Sequence, residues 1–121
     1  MQVYVVWMDS KHAKVYRIQG EKFEVTTAAA NPPDHHTHSK SEDRHKDDHR
    51  YFAAIVDLLG HSADRILLVG PGNAKTHFKT HLEGHHNKEL AKRVVGTETM
   101  DHPTDAQLVA HAHKYFASGL V

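Results

Sequence analysis

With 121 residues, the chain can bury one hydrophobic core but not two independent ones, so we predict a single domain spanning residues 1–121. Lys and Arg number 15, as do Asp and Glu, so the chain lacks the basic excess that would by itself indicate nucleic-acid binding. There is no cysteine, which excludes disulfides and thiolate metal sites, and no apolar run approaches the roughly 20 residues of a membrane helix. The start "MQVYVVWMDS" does not resemble a signal peptide, so a cytoplasmic protein without membrane contact is expected.

The first 30 residues predict a meander of three β-strands. The segments "VYVVWMD", "AKVYRI" and "KFEVTT" are rich in β-branched and aromatic residues, and Asp9-Ser10 and Gly20-Glu21 separate them. Pro32-Pro33 cannot extend a strand in a sheet interior. We therefore predict that a histidine-rich loop begins there and covers about residues 31–41.

Helical periodicity appears after this loop. A Ser-x-x-Glu capping box occupies residues 39–42, and apolar residues then recur at helical intervals, which predicts a helix from about Ser41 to Leu59. Asn73 can cap a second helix, and Thr104, with Gln107 three residues later, can cap a third.

Two further strands are predicted between these helices. The segment "RILLV" at residues 65–69 is a continuous apolar run, typical of a strand buried on both faces, and "RVVGTETM" at residues 93–100 predicts another. The order β-β-β-α-β-α-β-α places the chain in the α/β class. It favours an RNase H-like mixed sheet with helices on both faces, in which the crossover units add parallel strands to the meander.

Two segments resemble a known family. "VWMDSKHAKVYRIQG" is similar to the opening hairpin of the middle domain of archaeo-eukaryotic peptide-chain release factors and of their ribosome-rescue relative Pelota, and "RILLVGPGNAKTHFKTHL" to a later strand, turn and helix of that domain. The chain most resembles stand-alone bacterial relatives, often called translational machinery proteins, through "VGPGNAK" and "VVGTETMDHPTD". The resemblance is most specific at Asp9, Gly70, Pro71, Gly72, Lys75 and residues 100–105.

The resemblance implies a fold of the translational machinery component type and contact with the ribosome or an RNA. The Gly-Gly-Gln motif, by which release factors free the peptide, is replaced here by "DHHTHSKSEDRH", so we expect a translation-related protein without that catalytic activity. Cationic and histidine side chains are the candidates for contact with the ribosome or RNA. They are His35, His36, His38, Lys40, Arg44, Lys46, Arg50 and Lys75.

The histidine-rich segment also suggests a divalent metal site. His45 and His49 are four residues apart on the predicted helix, a spacing that can bring two imidazoles to one metal ion. Loop residues would have to complete the ligand set, and zinc or nickel would be the expected ion. The candidate ligands are His35, His36, His38, His45 and His49. The alternative interpretation is a solvated polar loop followed by a first helical turn.

His77 and His81 repeat this spacing on the second predicted helix. Phe78 and Leu82 are expected on the buried side, so both histidines and the nearby Lys75 should face water. A second metal patch or a surface for self-association is the alternative there. A small homodimer is also compatible with a domain of this kind, although no stretch of sequence indicates its interface.

Enzymatic interpretations receive less support. "GPGNAK" lacks the length and the Lys-Ser/Thr ending of a P-loop, and its glycines are more typical of a tight turn. Asp101 and His102 could form an acid–base pair, but no nucleophile lies near them in sequence. Asp9 ends the first strand, where RNase H-like nucleases place a metal-binding carboxylate, with Glu42 or Asp43 as further ligands. A metal-dependent nuclease is therefore a second alternative, ranked below a binding module.

Overall fold

The computed structural model describes residues 3–29, 41–60, 63–84 and 88–117, with the backbone alone for 41–49 and 117. The strands are β1 (Val3–Met8), β2 (His12–Gln19), β3 (Lys22–Ala29), β4 (Arg65–Gly70) and β5 (Val94–Thr99). The helices are α1 (Ser41–Leu59), α2 (Ala74–Gly84), α3 (Lys88–Arg93) and α4 (Asp105–Ala117). None of the described helices is both long enough and apolar enough to cross a membrane.

The five strands form one mixed sheet in the order β3-β2-β1-β4-β5. The first three strands pair antiparallel as a meander, whereas β4 pairs parallel with β1, and β5 pairs parallel with β4. This arrangement confirms the α/β class and the predicted mixed sheet.

Both faces of the sheet are covered by helices, as predicted. Along β1, Val6 and Met8 belong to a cluster with α1, α2 and α3, while Val5 and Trp7 point to the opposite face and pack with α4. Strand β4 is buried on both faces because Ile66 to Val69 alternate between the two clusters and are fully shielded from solvent. Its continuous apolar run is thereby explained.

The helix boundaries follow local chemistry. Helix α1 has the predicted limits, although Ser39 of its capping box lies outside the described residues. At α4 the capping box is formed, since the backbone N–H of Gln107 donates to the Thr104 hydroxyl at 3.1 Å and that of Thr104 donates to the Gln107 side chain at 2.9 Å. The cap at Thr104 is confirmed.

The short helix α3 was not predicted. Its six residues include only one buried side chain, Leu90, so they are too few to display a helical period. Arg93 ends this helix rather than beginning the fifth strand, and its guanidinium donates to the carbonyl of Ala63 at 2.8 Å. A tertiary contact, rather than local propensity, therefore marks the boundary.

Candidate functional site at the carboxyl edge of the sheet

The parallel strands β1, β4 and β5 end at one side of the sheet, which we call the carboxyl edge. It comprises the segments that follow these strands, residues 9–12, 70–75 and 100–105. The backbone N–H of Met100 donates to the carbonyl of Gly70 at 3.1 Å, and Trp7 Nε1 donates to the carbonyl of Asp101 at 2.7 Å. The segments "VGPGNAK" and "TMDHPTD", distant in sequence, are thus held together. In parallel α/β sheets this edge is where ligands usually bind.

The turn after β4 is held closely against β1. A Cβ atom built on Gly70 would lie 2.0 Å from the carbonyl oxygen of Met8, so only glycine allows the two backbones to approach this closely. The Lys75 side chain folds back over the turn, and its Nζ donates to the carbonyls of Gly70 at 3.0 Å and Gly72 at 2.5 Å. This ammonium group therefore stabilises the turn.

Our prediction that Lys75 lies on a water-facing helix surface was wrong, because the residue is only 7% exposed. A long side chain in the first turn of a helix can reach back to the carbonyls that precede the helix, and a buried ammonium group needs such acceptors. The predicted contact of Lys75 with RNA or the ribosome stays a prediction.

Replacing Lys75 by methionine should lower the free energy of unfolding by about 2 kcal/mol, because hydrogen bonds to a charged group are lost while the stem volume is kept. Lys79→Met is the matched control on the same helix, since Lys79 is only half-buried. Urea denaturation followed by circular dichroism would measure both variants. Equal stability of the two variants would contradict the role of Lys75 in the turn.

The turn after β1 is organised by Asp9. Its Oδ1 accepts hydrogen bonds from the backbone N–H groups of Lys11 at 2.8 Å and His12 at 2.7 Å, and its own carbonyl accepts from the Tyr51 hydroxyl at 2.9 Å. Burial, and then the charge of Asp9, raises the pKa of Tyr51, so its phenol remains a hydrogen-bond donor at neutral pH.

The hydrogen bonds of Asp9 argue against the alternative of a metal-dependent nuclease. Among residues 3–29, 50–60, 63–84 and 88–116, no three His, Asp or Glu side chains are grouped closely enough to hold a metal ion. Within this part of the chain Asp9 therefore belongs to no such group, and its carboxylate accepts hydrogen bonds from the turn instead. The side chains of Glu42 and Asp43, the other predicted ligands, lie outside the described residues.

Asp101 and His102 form the predicted pair, with His102 Nδ1 3.0 Å from Asp101 Oδ1. Both side chains are exposed, and the imidazole ring lies over Trp7 with 5.0 Å between ring centroids. Sequence reasoning missed Trp7, whose only signal was an aromatic residue with a polar N–H near the end of a buried strand.

Helix α4 is attached to β2 beside this edge. The Tyr16 hydroxyl donates to Asp105 Oδ1 at 2.6 Å, and Lys14 Nζ lies 3.8 Å from the same oxygen. Burial is the main cause of the raised pKa of Tyr16, and the hydrogen bond to Asp105 and its charge add to it. The first turn of α4, which begins in the "DHPTD" segment, is therefore fixed to the sheet.

A cavity of about 200 Å³ opens between the first turn of α2 and the middle of α1. It is lined by Ser10, Tyr51, Phe52, Asn73, Ala74 and His77. His77 is exposed, as predicted.

The prediction that His81 also faces water was wrong, because it is only 8% exposed. Its ring packs edge-on against Phe52 of α1, with 5.3 Å between centroids, and is stacked on Phe78 at 6.4 Å. Because Phe52 of α1 packs against α2, the buried side of α2 includes His81 as well as Phe78 and Leu82. Since the two histidines lie in different environments, they do not form one solvent-facing pair.

The structure gives the position of the histidine-rich segment only through α1. Because Tyr51 contacts Asp9 and the helix then runs toward the start of β4, its first ten residues lie on the carboxyl-edge side of the sheet. Arg50 is exposed there. The other candidates of the segment lie outside the described residues or have only their backbone described. They are His35, His36, His38, Lys40, Arg44, His45, Lys46 and His49.

No protein-family model and no curated protein matches the chain significantly. Solved structures do match. Pelota of Archaeoglobus fulgidus aligns with a TM-score of 0.70 and 12% identity, over 98% of this chain and 32% of that one. The archaeal translation termination factor aRF1 aligns at 0.63 and 16% identity, over 88% of this chain and 32% of its own.

Dom34 of Saccharomyces cerevisiae, a translation termination-like factor involved in RNA quality control pathways and interacting with Hbs1, aligns at 0.62 and 14% identity. The alignment covers 98% of this chain and 34% of Dom34. The chain thus spans about a third of the length of these proteins. At such identities the likeness shows the fold, and the resemblance to the middle domain of release factors and Pelota is confirmed at that level.

Proposed function

We propose that this chain is a non-catalytic, cytoplasmic translation protein that binds the ribosome or an RNA through the carboxyl edge of its sheet. The observation that supports it most is that 98% of the chain aligns with a part of Pelota, and that other translation factors align in the same way. The "DHHTHSKSEDRH" segment in place of Gly-Gly-Gln argues against peptide release by the mechanism of that motif.

The proposed contact surface combines the histidine-rich segment with the start of α1. Protonated histidines together with lysine and arginine side chains attract phosphate groups, and such binding weakens as salt rises. Arg50 is the contact candidate whose exposed side chain the structure describes. Lys75 shapes the neighbouring turn, because its ammonium group donates hydrogen bonds to the carbonyls of Gly70 and Gly72. We therefore expect a binding surface whose affinity increases as pH falls through the range of histidine titration.

Ribosome co-sedimentation from lysate, at low and high salt and with or without chelator, tests the proposal. We expect the wild type to pellet with ribosomes at low salt, to be released at high salt and to be indifferent to chelator. A variant with Asp34 to His38 replaced by Gly and Ser should lose this binding.

The matched control for that experiment is Lys88→Ser combined with Lys92→Ser. Both residues are exposed on α3, which leads into the start of β5 and so lies at the opposite edge of the sheet. This control should bind like the wild type. Absence of co-sedimentation at every salt concentration would contradict ribosome binding, and equal loss in the control would contradict the assignment of the surface.

The second candidate function is histidine-based metal binding. One observation favours it: α1 is helical through residues 45–49, so the backbone places His45 and His49 one turn apart. If the metal site exists, zinc or nickel should bind stoichiometrically in calorimetry and should be lost when both histidines are replaced by alanine. His77→Ala, a change at an exposed histidine on α2, is the control. Unchanged binding in the His45 and His49 variant would exclude this pair as ligands.

A further inference from the structure

The outer edge of β3 has the properties of a strand-pairing surface. Strand β3 is the first in the sheet order and pairs with β2 on one side, and no other described strand pairs with it. Its eight residues contain no proline, and its register with β2 runs without a bulge. Natural edge strands usually carry such interruptions, because an uninterrupted edge invites another strand.

The hairpin geometry determines which backbone groups of β3 are free to pair. A two-residue turn joins Gln19 to Lys22, and the residues flanking such a turn exchange both hydrogen bonds. Alternation then directs the backbone groups of even-numbered residues toward β2. The N–H and C=O groups of Phe23, Val25 and Thr27 consequently lie in the plane of the sheet and point outward from its edge, away from β2.

The same residues carry exposed apolar side chains. Phe23 is 39% exposed and Val25 is 36% exposed, and they are the large hydrophobic residues classed as exposed in the described part of the chain. They lie opposite Ile18 and Tyr16 of β2, which α4 covers on that face of the sheet. The edge thus extends a buried apolar face by one strand whose apolar side chains are exposed.

The charges on the other face of β3 indicate which strand would fit. Lys22 and Glu24 point to the face opposite Phe23, and Glu24 is paired with Arg17. If two copies of β3 pair antiparallel with Phe23 opposite Phe23, then Lys22 of each copy lies opposite Glu24 of the other. These would be non-hydrogen-bonded pairs, in which side chains approach most closely. The register centred on Glu24 would instead place the two Glu24 carboxylates opposite each other.

We propose that this chain forms a two-fold symmetric dimer by antiparallel pairing of β3 with β3 of a second copy, centred on Phe23. The sheets of the two copies become continuous through this pairing. The two Phe23 rings meet on one face, and reciprocal ion pairs between Lys22 and Glu24 meet on the other. The interface is isologous, as expected for a homodimer. It leaves the carboxyl edge of each copy open and does not depend on the proposed function.

Sedimentation velocity of the full chain over about a hundredfold range of concentration tests the dimer. The wild type should pass from monomer to dimer as concentration rises, whereas Phe23→Lys should remain monomeric, because it places two ammonium groups opposite each other on the two-fold axis. Thr26→Lys is the matched control, since Thr26 is also exposed but points to the other face. It should associate like the wild type, and circular dichroism would establish that both variants fold.

Charge reversal tests the register. Lys22→Glu and Glu24→Lys should each lose self-association, and an equimolar mixture should recover it as a heterodimer, because glutamates of one chain then face lysines of the other. A wild type that stays monomeric throughout, or a Phe23→Lys variant that associates like the wild type, would overturn the proposal. A mixture of the two charge variants that stays monomeric would overturn it as well.

Discussion

Gly70→Ala should lower the free energy of unfolding by about 3 kcal/mol or more, the largest effect we expect from the loss or gain of one methyl group in this chain. The new Cβ would lie 2.0 Å from the carbonyl oxygen and 3.2 Å from the carbonyl carbon of Met8. Both atoms belong to the backbone of β1, which pairs on both sides and cannot move without disturbing the sheet.

The Gly70→Ala substitution should also affect residues that do not contact the new Cβ. The carbonyl of Gly70 accepts hydrogen bonds from the backbone of Met100 and from Lys75, so a shift of this turn would loosen the segments that form the carboxyl edge. Urea denaturation followed by circular dichroism would give the change in stability. If the variant still folds at low temperature, ribosome co-sedimentation would show whether the edge is also needed for binding.

Gly72→Ala provides the control for this prediction. Nothing lies within 4 Å of a Cβ built on Gly72, and the residue is exposed. Its stability should stay within about 0.5 kcal/mol of the wild type, as for most surface substitutions. If Gly70→Ala were as stable as Gly72→Ala, the close approach of β1 to the turn would be refuted.

Phe78→Ala should lower the free energy of unfolding by about 3–5 kcal/mol, the range typical of a fully buried aromatic residue. Phe78 is completely shielded from solvent, lies 5.5 Å from the ring of Phe52, and is stacked on His81. Its removal would leave a cavity between α1 and α2 that rigid neighbours cannot fill. Thermal and urea unfolding would measure the loss.

Phe23→Ala is the matched control, because it removes the same ring from a position that is 39% exposed. It should lower the free energy of unfolding by less than about 1 kcal/mol when measured at low protein concentration, where self-association does not contribute. Similar losses in the two variants would contradict the packing of α1 on α2.

Much of the fold could be predicted because each element reveals its own burial pattern. The continuous apolar run of β4 required two covered faces, and the spacing after residue 41 gave α1 its observed limits. The capping box at Thr104 could be predicted because its two partners are three residues apart. These features depend on neighbours along the chain, which a sequence displays directly.

The environment of single polar side chains could not be predicted in this way. His81 and Lys75 both belong to α2, and helical spacing placed both toward water. His81 is buried because Phe52 arrives from α1, and Lys75 is buried because the preceding turn offers two carbonyls to its ammonium group. Periodicity describes the helix that carries a residue but contains no information on the element that covers it.

The sequence by itself determined the class of fold, the order of the strands and of the three longer helices, and, through resemblance, the segments that meet at the candidate site. Only the tertiary structure decided that β4 lies between β1 and β5. In this arrangement the carbonyl of Gly70 accepts a hydrogen bond from the backbone of Met100, and the carbonyl of Asp101 accepts one from the Trp7 side chain. Only the tertiary structure, too, places β3 at the end of the sheet order, where no other described strand pairs with its outer edge and Phe23 and Val25 are exposed. The physical reason is that secondary structure follows from local periodicity and capping, whereas strand order and burial follow from contacts between residues distant in sequence.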